Sequence, residues 1–235
     1  MLLAMLASCD FEPQYIQITG TLYEGRDSGV AAAGGTVLSM DYAFEEVDTV
    51  TTADDGTFSV QAVAGSYLYL ETLVEGGLPT GFAGQTPMSG DFVLEDGTLY
   101  GRTADEQSQL EADFSGCEGL GTGATVDGEV VAYIEGVDPA DAPRVTTAYV
   151  VAYDEQGNQT DACYLSDDES VVAYDAAATT TGYHGRFAIP NAPTGAVTVE
   201  IGYYLEDELA YQIFYYVYVP EGGVAPLYPA YVEVF

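Results

Sequence analysis

The chain has no lysine and no tryptophan, one histidine, His184, and four cationic side chains among its 235 residues. Without lysine it cannot carry the glycine-rich phosphate loop that ends in a lysine. Its few cysteine and histidine residues do not suit a structural zinc site, which needs several such ligands. His184 precedes Gly185 in a predicted hairpin turn, where we expect it to be exposed, and no serine or cysteine lies near it in the sequence. We therefore expect a protein that is not an enzyme.

Acidic residues dominate the charge, with 38 Asp and Glu residues and a net charge of −34. Such a surface repels nucleic acid and anionic lipid headgroups, which are therefore poor partners. The same repulsion should destabilise the compact state at low salt. Hydrophobic residues still make up 48% of the chain, enough to build real cores. With so many acids, no single carboxylate pair stands out for glycoside hydrolysis, so a hydrolase using acidic residues remains an alternative.

No apolar run is long enough to predict a membrane-spanning helix, but the first residues carry another signal. Leu6-Ala7-Ser8-Cys9 follows a short apolar run. It resembles a bacterial lipobox, which implies that residues 1–8 are a truncated signal peptide and that Cys9 carries lipid. No Lys or Arg precedes Cys9, so we expect the start codon to lie upstream. Residues 9–14 would then form the lipid anchor and a short tether.

The implied location is the bacterial cell envelope. Asp10, directly after Cys9, resembles an inner-membrane retention signal of enteric bacteria, a rule that does not transfer to other groups. We expect the outer membrane or the cell surface.

Two further cysteines, Cys117 and Cys163, remain after Cys9. Outside the cytoplasm such a pair usually forms a disulfide, which we predict here. Two free buried thiols are the alternative.

Alternating apolar and polar residues, separated by turn signals, predict an all-β protein. We expect two tandem antiparallel β-sandwich domains of the immunoglobulin-like or transthyretin-like kind. The first covers 15–102, and the second covers 125–235 with an insertion at 160–178. We predict that the segment 103–124 is a linker. Within it, Thr103 and Glu106 have the spacing of a capping box, which predicts a short helix.

The two units repeat a pattern of glycine, threonine, turn glycine and aromatic residue. In the first unit it consists of Gly20, Thr52, Gly56, Phe58, Gly65 and Tyr67; in the second it consists of Gly128, Thr181, Gly185, Phe187 and Gly195, with Val197 in place of the tyrosine. This pattern is similar to that of the carboxypeptidase regulatory-like family of small β-sandwiches. The resemblance implies a fold and says almost nothing of function.

Tyrosine-rich strands near the end of the chain are the candidate binding surface. We single out Tyr215, Tyr216 and Tyr218, because aromatic residues on a solvent-facing strand offer a flat platform for a sugar or a protein partner. Tyrosine also simply favours strands, which is the structural alternative.

No cofactor is expected except one candidate ion, calcium, which prefers oxygen ligands. Asp167, Asp168 and Glu169 are its candidate ligands, with Asp54 and Asp55 as a second set. Neither set has EF-hand spacing, and solvated turn acids are the alternative.

Together these patterns predict a lipid-anchored envelope protein with a structural, adhesive or partner-binding role. Its partners would be the membrane, through the N-terminal lipid, and an envelope protein or a glycan. A surface carbohydrate-binding module that assists secreted enzymes is the alternative function.

Overall fold

A computed structural model describes residues 13–95, 97–138, 141–205 and 208–233. Within these ranges the chain forms sixteen strands and one helix. In the first half lie β1 Tyr15–Glu24, β2 Thr36–Met40, β3 Glu46–Thr51, β4 Thr57–Val63, β5 Tyr67–Leu73, β6 Thr80–Gln85, β7 Phe92–Val93, β8 Leu99–Gly101 and helix α1 Ala104–Asp113. In the second half lie β9 Thr125–Tyr133, β10 Ala148–Tyr153, β11 Gln159–Asp161, β12 Cys163–Tyr164, β13 Arg186–Ile189, β14 Gly195–Leu205, β15 Glu208–Val219 and β16 Val224–Glu233. The predicted all-β class is confirmed.

The strands form three sheets. In one, β4 and β7 flank β1, which also pairs with β8. A second has the order β11-β10-β14-β15. The third has eight strands in the order β12-β13-β9-β16-β6-β5-β2-β3. This large sheet contains strands from both halves of the chain.

Alternation along the strands explains how the sheets pack. In β4, Phe58, Val60 and Ala62 are buried while the residues between them are exposed. They belong to a first core cluster with Ile18 and Leu22 of β1. A second and larger cluster is built from β9, β10, β13, β14 and β16, including the fully buried side chains Val126, Val150, Phe187, Val199 and Ile201. Each such side chain stabilises the fold by about 1.5–3 kcal/mol.

Two buried threonines make equivalent hydrogen bonds in the two halves. The Thr52 hydroxyl donates to the Ala32 carbonyl and accepts from the Gly35 N–H at 2.9 Å. The Thr181 hydroxyl donates to the Val145 carbonyl at 2.5 Å and accepts from the Ala148 N–H at 3.1 Å. These bonds satisfy backbone groups inside the cores, where an unpaired polar group would be costly.

The glycine and aromatic positions of the repeated pattern are also equivalent. Phe58 of β4 lies opposite Gly20 of β1, and Phe187 of β13 lies opposite Gly128 of β9. A Cβ on Gly128 would lie 2.6 Å from the Phe187 ring, so only glycine leaves room for the aromatic side chain. The turn glycines that precede each aromatic residue, Gly56 and Gly185, have φ of 75° and 64°. The predicted hairpin turns therefore contain glycine because their backbone has a positive φ, which glycine adopts without strain.

Strand β16 joins the two halves of the chain. It pairs in parallel with β9 along most of its length and with β6 at Val224, opposite Thr80. Strands β7 and β8 also pair in parallel with β1. The prediction of antiparallel sheets is therefore confirmed for the hairpins, but β7, β8 and β16 pair in parallel with strands that lie far away in the sequence.

The segment 103–124 contains the predicted helix. The Thr103 hydroxyl accepts from the Glu106 N–H, and the Glu106 carboxylate accepts from the Thr103 N–H, completing the capping box. After the helix, Cys117 forms a disulfide with Cys163, as predicted. The bond lies in a third small cluster with Leu110, Phe114 and Leu165.

The predicted lipidation site Cys9 and the neighbouring Asp10 lie outside the described residues. In the described part of the chain, no helix has the length and apolar character needed to cross a membrane.

Candidate binding surface

The sheet β11-β10-β14-β15 has one face in the second core and one face toward solvent. On β14, Val197, Val199 and Ile201 are buried, so the residues between them project outward. We call five aromatic residues on the outward side of this sheet the outer aromatic face: Tyr149, Tyr153, Tyr204, Phe214 and Tyr216. Of these residues, Phe214 and Tyr216 lie on β15 and are 49% and 69% exposed.

Glu200 lies at the centre of the outer aromatic face. Cross-strand pairing places it opposite Phe214 on β15 and Val151 on β10. Only 8% of the residue is exposed. Its Oε1 accepts a hydrogen bond from the Tyr149 hydroxyl and another from Gln212 Nε2 at 2.6 Å. A carboxylate is thus held in a fixed position beneath the aromatic rings.

Two opposing effects act on the pKa of Glu200. Burial raises it, but the hydrogen bonds from Tyr149, Gln212 and Tyr153 together outweigh burial, and the pKa lies below its usual value. The pKa of Tyr149 moves the other way, because burial and its bond to Glu200 both favour the protonated hydroxyl. At neutral pH the pair is therefore a phenol donating to a carboxylate.

Gly202 makes room for the Tyr149 ring. It lies opposite Tyr149 in the sheet, and a Cβ there would be 1.9 Å from a ring carbon. Because the ring lies over Gly202, it also reaches Tyr204, with 5.5 Å between the ring centroids. The missing side chain at Gly202 is thus what allows the Tyr149 ring to occupy this position.

The three predicted binding tyrosines point to different places. Tyr216 lies on the outer aromatic face. Tyr215 turns toward the core, where its hydroxyl donates to the Tyr231 carbonyl at 2.7 Å and burial raises its pKa to about 12. Tyr218 stacks against Phe44 and Tyr69, with centroid distances of 5.8 and 5.6 Å. The structure therefore places only Tyr216 of the three on the exposed face.

The predicted calcium ligands make local hydrogen bonds. Asp168 accepts from the N–H and hydroxyl of Ser170, and Glu169 accepts from the Tyr183 hydroxyl at 2.9 Å. Asp167 is exposed beside them. Asp55 of the second set accepts from Thr57 in the turn before β4. Within the described ranges, no three Asp, Glu, His or Cys side chains converge as a metal site.

His184 lies in the predicted turn but is half-buried. Its ring packs edge-on against Tyr183, with 5.4 Å between centroids. Its Nε2 is buried and has no hydrogen-bond partner among the described residues. The expectation of an exposed turn histidine was wrong, because the ring is half-buried and in contact with Tyr183.

A cluster at the junction of the two halves was not predicted from the sequence. The Arg102 guanidinium donates to Asp127 Oδ1 at 2.5 Å, and the Tyr228 hydroxyl donates to Asp127 Oδ2 at 2.8 Å. Arg26 lies over the Tyr228 ring, 4.0 Å from its centroid. We call these four residues the junction cluster. Burial is the largest influence on the pKa of Tyr228 and raises it, and the Asp127 charge raises it further.

The other two arginines lie beside this cluster. Arg186 pairs with Asp113 of α1 at 2.5 Å, and Arg144 pairs with Glu129 of β9. Arg26, Arg102 and Arg186 line one cleft of about 280 Å³, and Arg144 lines an adjoining one with Arg26. All four cations of the chain thus meet at the junction. Each faces a carboxylate, so the cleft neutralises part of the acidic charge where the two halves meet.

No family model and no curated protein matches the chain. Among solved structures, it is similar to the Bacillus anthracis TIE protein, at 11% identity and a TM-score of 0.32, over 93% of this chain and 34% of that one. It is also similar to GBS52, the minor pilin of Streptococcus agalactiae, at 12% identity and a TM-score of 0.30, over 93% of this chain and 94% of that one. A third is the shaft pilin SpaA of Lactobacillus rhamnosus GG, at 9% identity and a TM-score of 0.27, over 95% of this chain and all of that one.

The chain thus spans about a third of the length of the TIE structure. At these TM-scores the similarities assign neither a family nor a function. The assignment of the fold rests on the strands and sheets themselves.

Proposed function

We propose that this chain is a lipid-anchored protein of the bacterial cell envelope that binds a partner in a structural or adhesive role and has no catalytic site. The observation that carries the proposal is the outer aromatic face. Exposed Phe214 and Tyr216 lie side by side on a strand whose other face is packed in the core. Aromatic side chains of this kind are enriched at protein interfaces, because they bury much area with little loss of side-chain entropy.

The partner is best identified on intact cells with a crosslinker that reacts with carboxylates, since the chain has no lysine. We expect one reproducible envelope partner crosslinked to residues 125–235. Tyr216→Ala should lose that partner. Tyr67→Ala is the matched control, because Tyr67 is an exposed tyrosine on β5, which belongs to a different sheet. A partner retained by Tyr216→Ala would remove the face from the proposal.

The lipid anchor is tested separately. Cys9→Ser should move the protein from the membrane fraction to the soluble fraction, because the acylated cysteine is the proposed attachment. Equal membrane recovery of both forms would refute the anchor and leave the binding role open.

A second candidate is binding of a neutral glycan. It is favoured by Glu200, Tyr149 and Gln212, whose fixed polar groups lie among exposed rings, as in many ligand sites. Retention on insoluble cellulose or chitin that disappears in Tyr216→Ala would support it. Equal elution of both proteins from these matrices would exclude it for these two glycans.

Calcium binding through Asp167, Asp168 and Glu169 stays a prediction. It is tested by comparing the unfolding midpoint in calcium with the midpoint in a chelator.

A further inference from the structure

Strand β15 lies at an open edge of its sheet. Among the described residues it pairs only with β14, over the full range from Glu208 to Val219. Near its end the Tyr218 carbonyl lies against Gly81 of β6. Before that point Leu209, Phe214 and Tyr216 are all more than a third exposed. No second described strand pairs with β15, so the backbone donors and acceptors on its other side have no strand partner.

The composition of this edge is unusual for an acidic protein. From Leu209 to Val219 the strand has no charged residue, no proline and no glycine. Natural edge strands are normally short, charged or covered, which prevents pairing with other chains. Here β11 and β12 are short, and β3 carries Glu46 and Asp48. The Asp48 carboxylate also accepts from the Gln61 N–H of β4, so β3 is covered. The same hydrogen bond covers β4, the edge of the first sheet. Of these edges, the first part of β15 lacks all of these protections.

We propose that the edge of β15 pairs antiparallel with the same strand of a second copy of this chain. A basic partner would bind best to a strand that carries acidic residues, and β15 has none after Glu208. In a self-pair the absence of acids matters, because like charges directly opposite destabilise a sheet. Pairing centred on Ile213 places Tyr211 of each copy opposite Tyr215 of the other. These side chains are half-buried on the core side, so the pair extends the second core across the edge.

The rest of the molecule sets the salt dependence of this dimer. Each copy has a net charge of −34, so the two bodies repel each other while the strands attract. Salt screens the repulsion, with a Debye length of about 10 Å at 0.1 M and about 3 Å at 1 M. The dimer therefore becomes tighter as NaCl rises. A complex held by opposite charges shows the reverse.

Sedimentation velocity of the purified chain from 0.05 to 2 M NaCl tests the proposal. We expect a monomer–dimer equilibrium whose dissociation constant falls with salt. Phe214→Glu should raise the dissociation constant by about tenfold or more, because each new charge lies opposite Gln212 of the other copy and diagonally across the pair from the other new charge. Tyr67→Glu adds the same charge on the central strand β5 and should leave the dimer intact. Tyr216→Glu is the second edge variant if Phe214→Glu does not fold.

Three results would overturn the pairing: a monomer at every salt concentration, a dimer weakened by NaCl, or a dimer that both edge variants leave unchanged. A monomer that still crosslinks to an envelope partner would overturn this inference and leave the proposed function standing.

Discussion

The Arg102 guanidinium and the Asp127 carboxylate form an ion pair whose side chains are 8% and 0% exposed. Arg102 follows β8 in the first half of the chain, and Asp127 lies on β9 in the second half. The pair therefore contributes to the junction only while both charges are present, since a buried charge without its partner is costly.

Removing one partner of this pair should destabilise the protein strongly. We expect Arg102→Met to lower the free energy of unfolding by about 3–5 kcal/mol, because Asp127 keeps a buried charge. Urea unfolding followed by circular dichroism measures the change. The double variant Arg102→Met with Asp127→Asn should lose less than the single variant. An equal or larger loss in the double variant would contradict this explanation.

Gly81 is predicted to be essential where β15 crosses β6. A Cβ at Gly81 would lie 2.0 Å from the Tyr218 carbonyl oxygen, so Gly81→Ala should cost about 1–3 kcal/mol or more of unfolding free energy. Gly84→Ala on the same strand is the control, because nothing lies within 4 Å of its Cβ position. The two variants are compared by thermal and urea unfolding. Similar stabilities would show that the backbones of β6 and β15 do not pack closely at Gly81.

The disulfide should contribute through the loop that it closes. Cys117 and Cys163 are 46 residues apart, which corresponds to about 4 kcal/mol in the chain-entropy model. The double variant Cys117→Ser with Cys163→Ser should lose about that much unfolding free energy. Reduction of the unchanged protein should give a comparable loss. A loss below about 1 kcal/mol would mean that the reduced chain keeps the same constraint by other contacts.

Acid should weaken the contribution of Glu200. Its pKa is lowered in the folded state, so its stabilising effect is fully present above the unfolded value of about 4.3 and is lost as pH falls through the folded value. We expect the stability difference between the protein and Glu200→Gln to be constant near neutral pH and to shrink below about pH 4. Urea unfolding at a series of pH values measures it. A difference that grows toward low pH would reverse the assigned direction.

Salt should stabilise the fold itself. With a net charge of −34, the folded chain repels itself, and NaCl screens that repulsion. The free energy of unfolding, measured at low protein concentration to keep the chain monomeric, should rise between 0.05 and 1 M NaCl. A flat curve would show that the arginine pairs and the spacing of the acids already limit the repulsion.

Alternation of apolar and polar residues indicates hairpin strands such as β4, but it indicates neither β6 nor most of β16. Both contain residues that usually interrupt strands. In β16, Pro226 and Pro229 occur within ten residues, and a register shift between Leu227 and Ala230 accommodates the second. In β6, Gly81 reads as a break, although its missing side chain is what admits the Tyr218 carbonyl. Local patterns cannot reveal such contacts, because the neighbour that requires the glycine lies far away in the chain.

The candidate surface was predicted only in part. The tyrosine-rich strand was recognised, but one residue of register decides whether a tyrosine faces solvent or core. That is why Tyr216 is exposed and Tyr215 is not. Glu200 gave no sequence signal, because it is one acid among 38. The junction cluster was missed for a related reason: four scattered arginines show no spacing, and only the fold brings them together.

The position of β16 also governs the order in which the chain can fold. It lies between β9 and β6, so residues 80–85 and 125–133 gain that neighbour only after residues 224–233 have been synthesised. Until then the growing chain has two incomplete sheets, and long-range parallel pairing of this kind forms slowly. Closure of the large sheet is therefore expected to be a late step, completed after the ribosome has released this part of the chain.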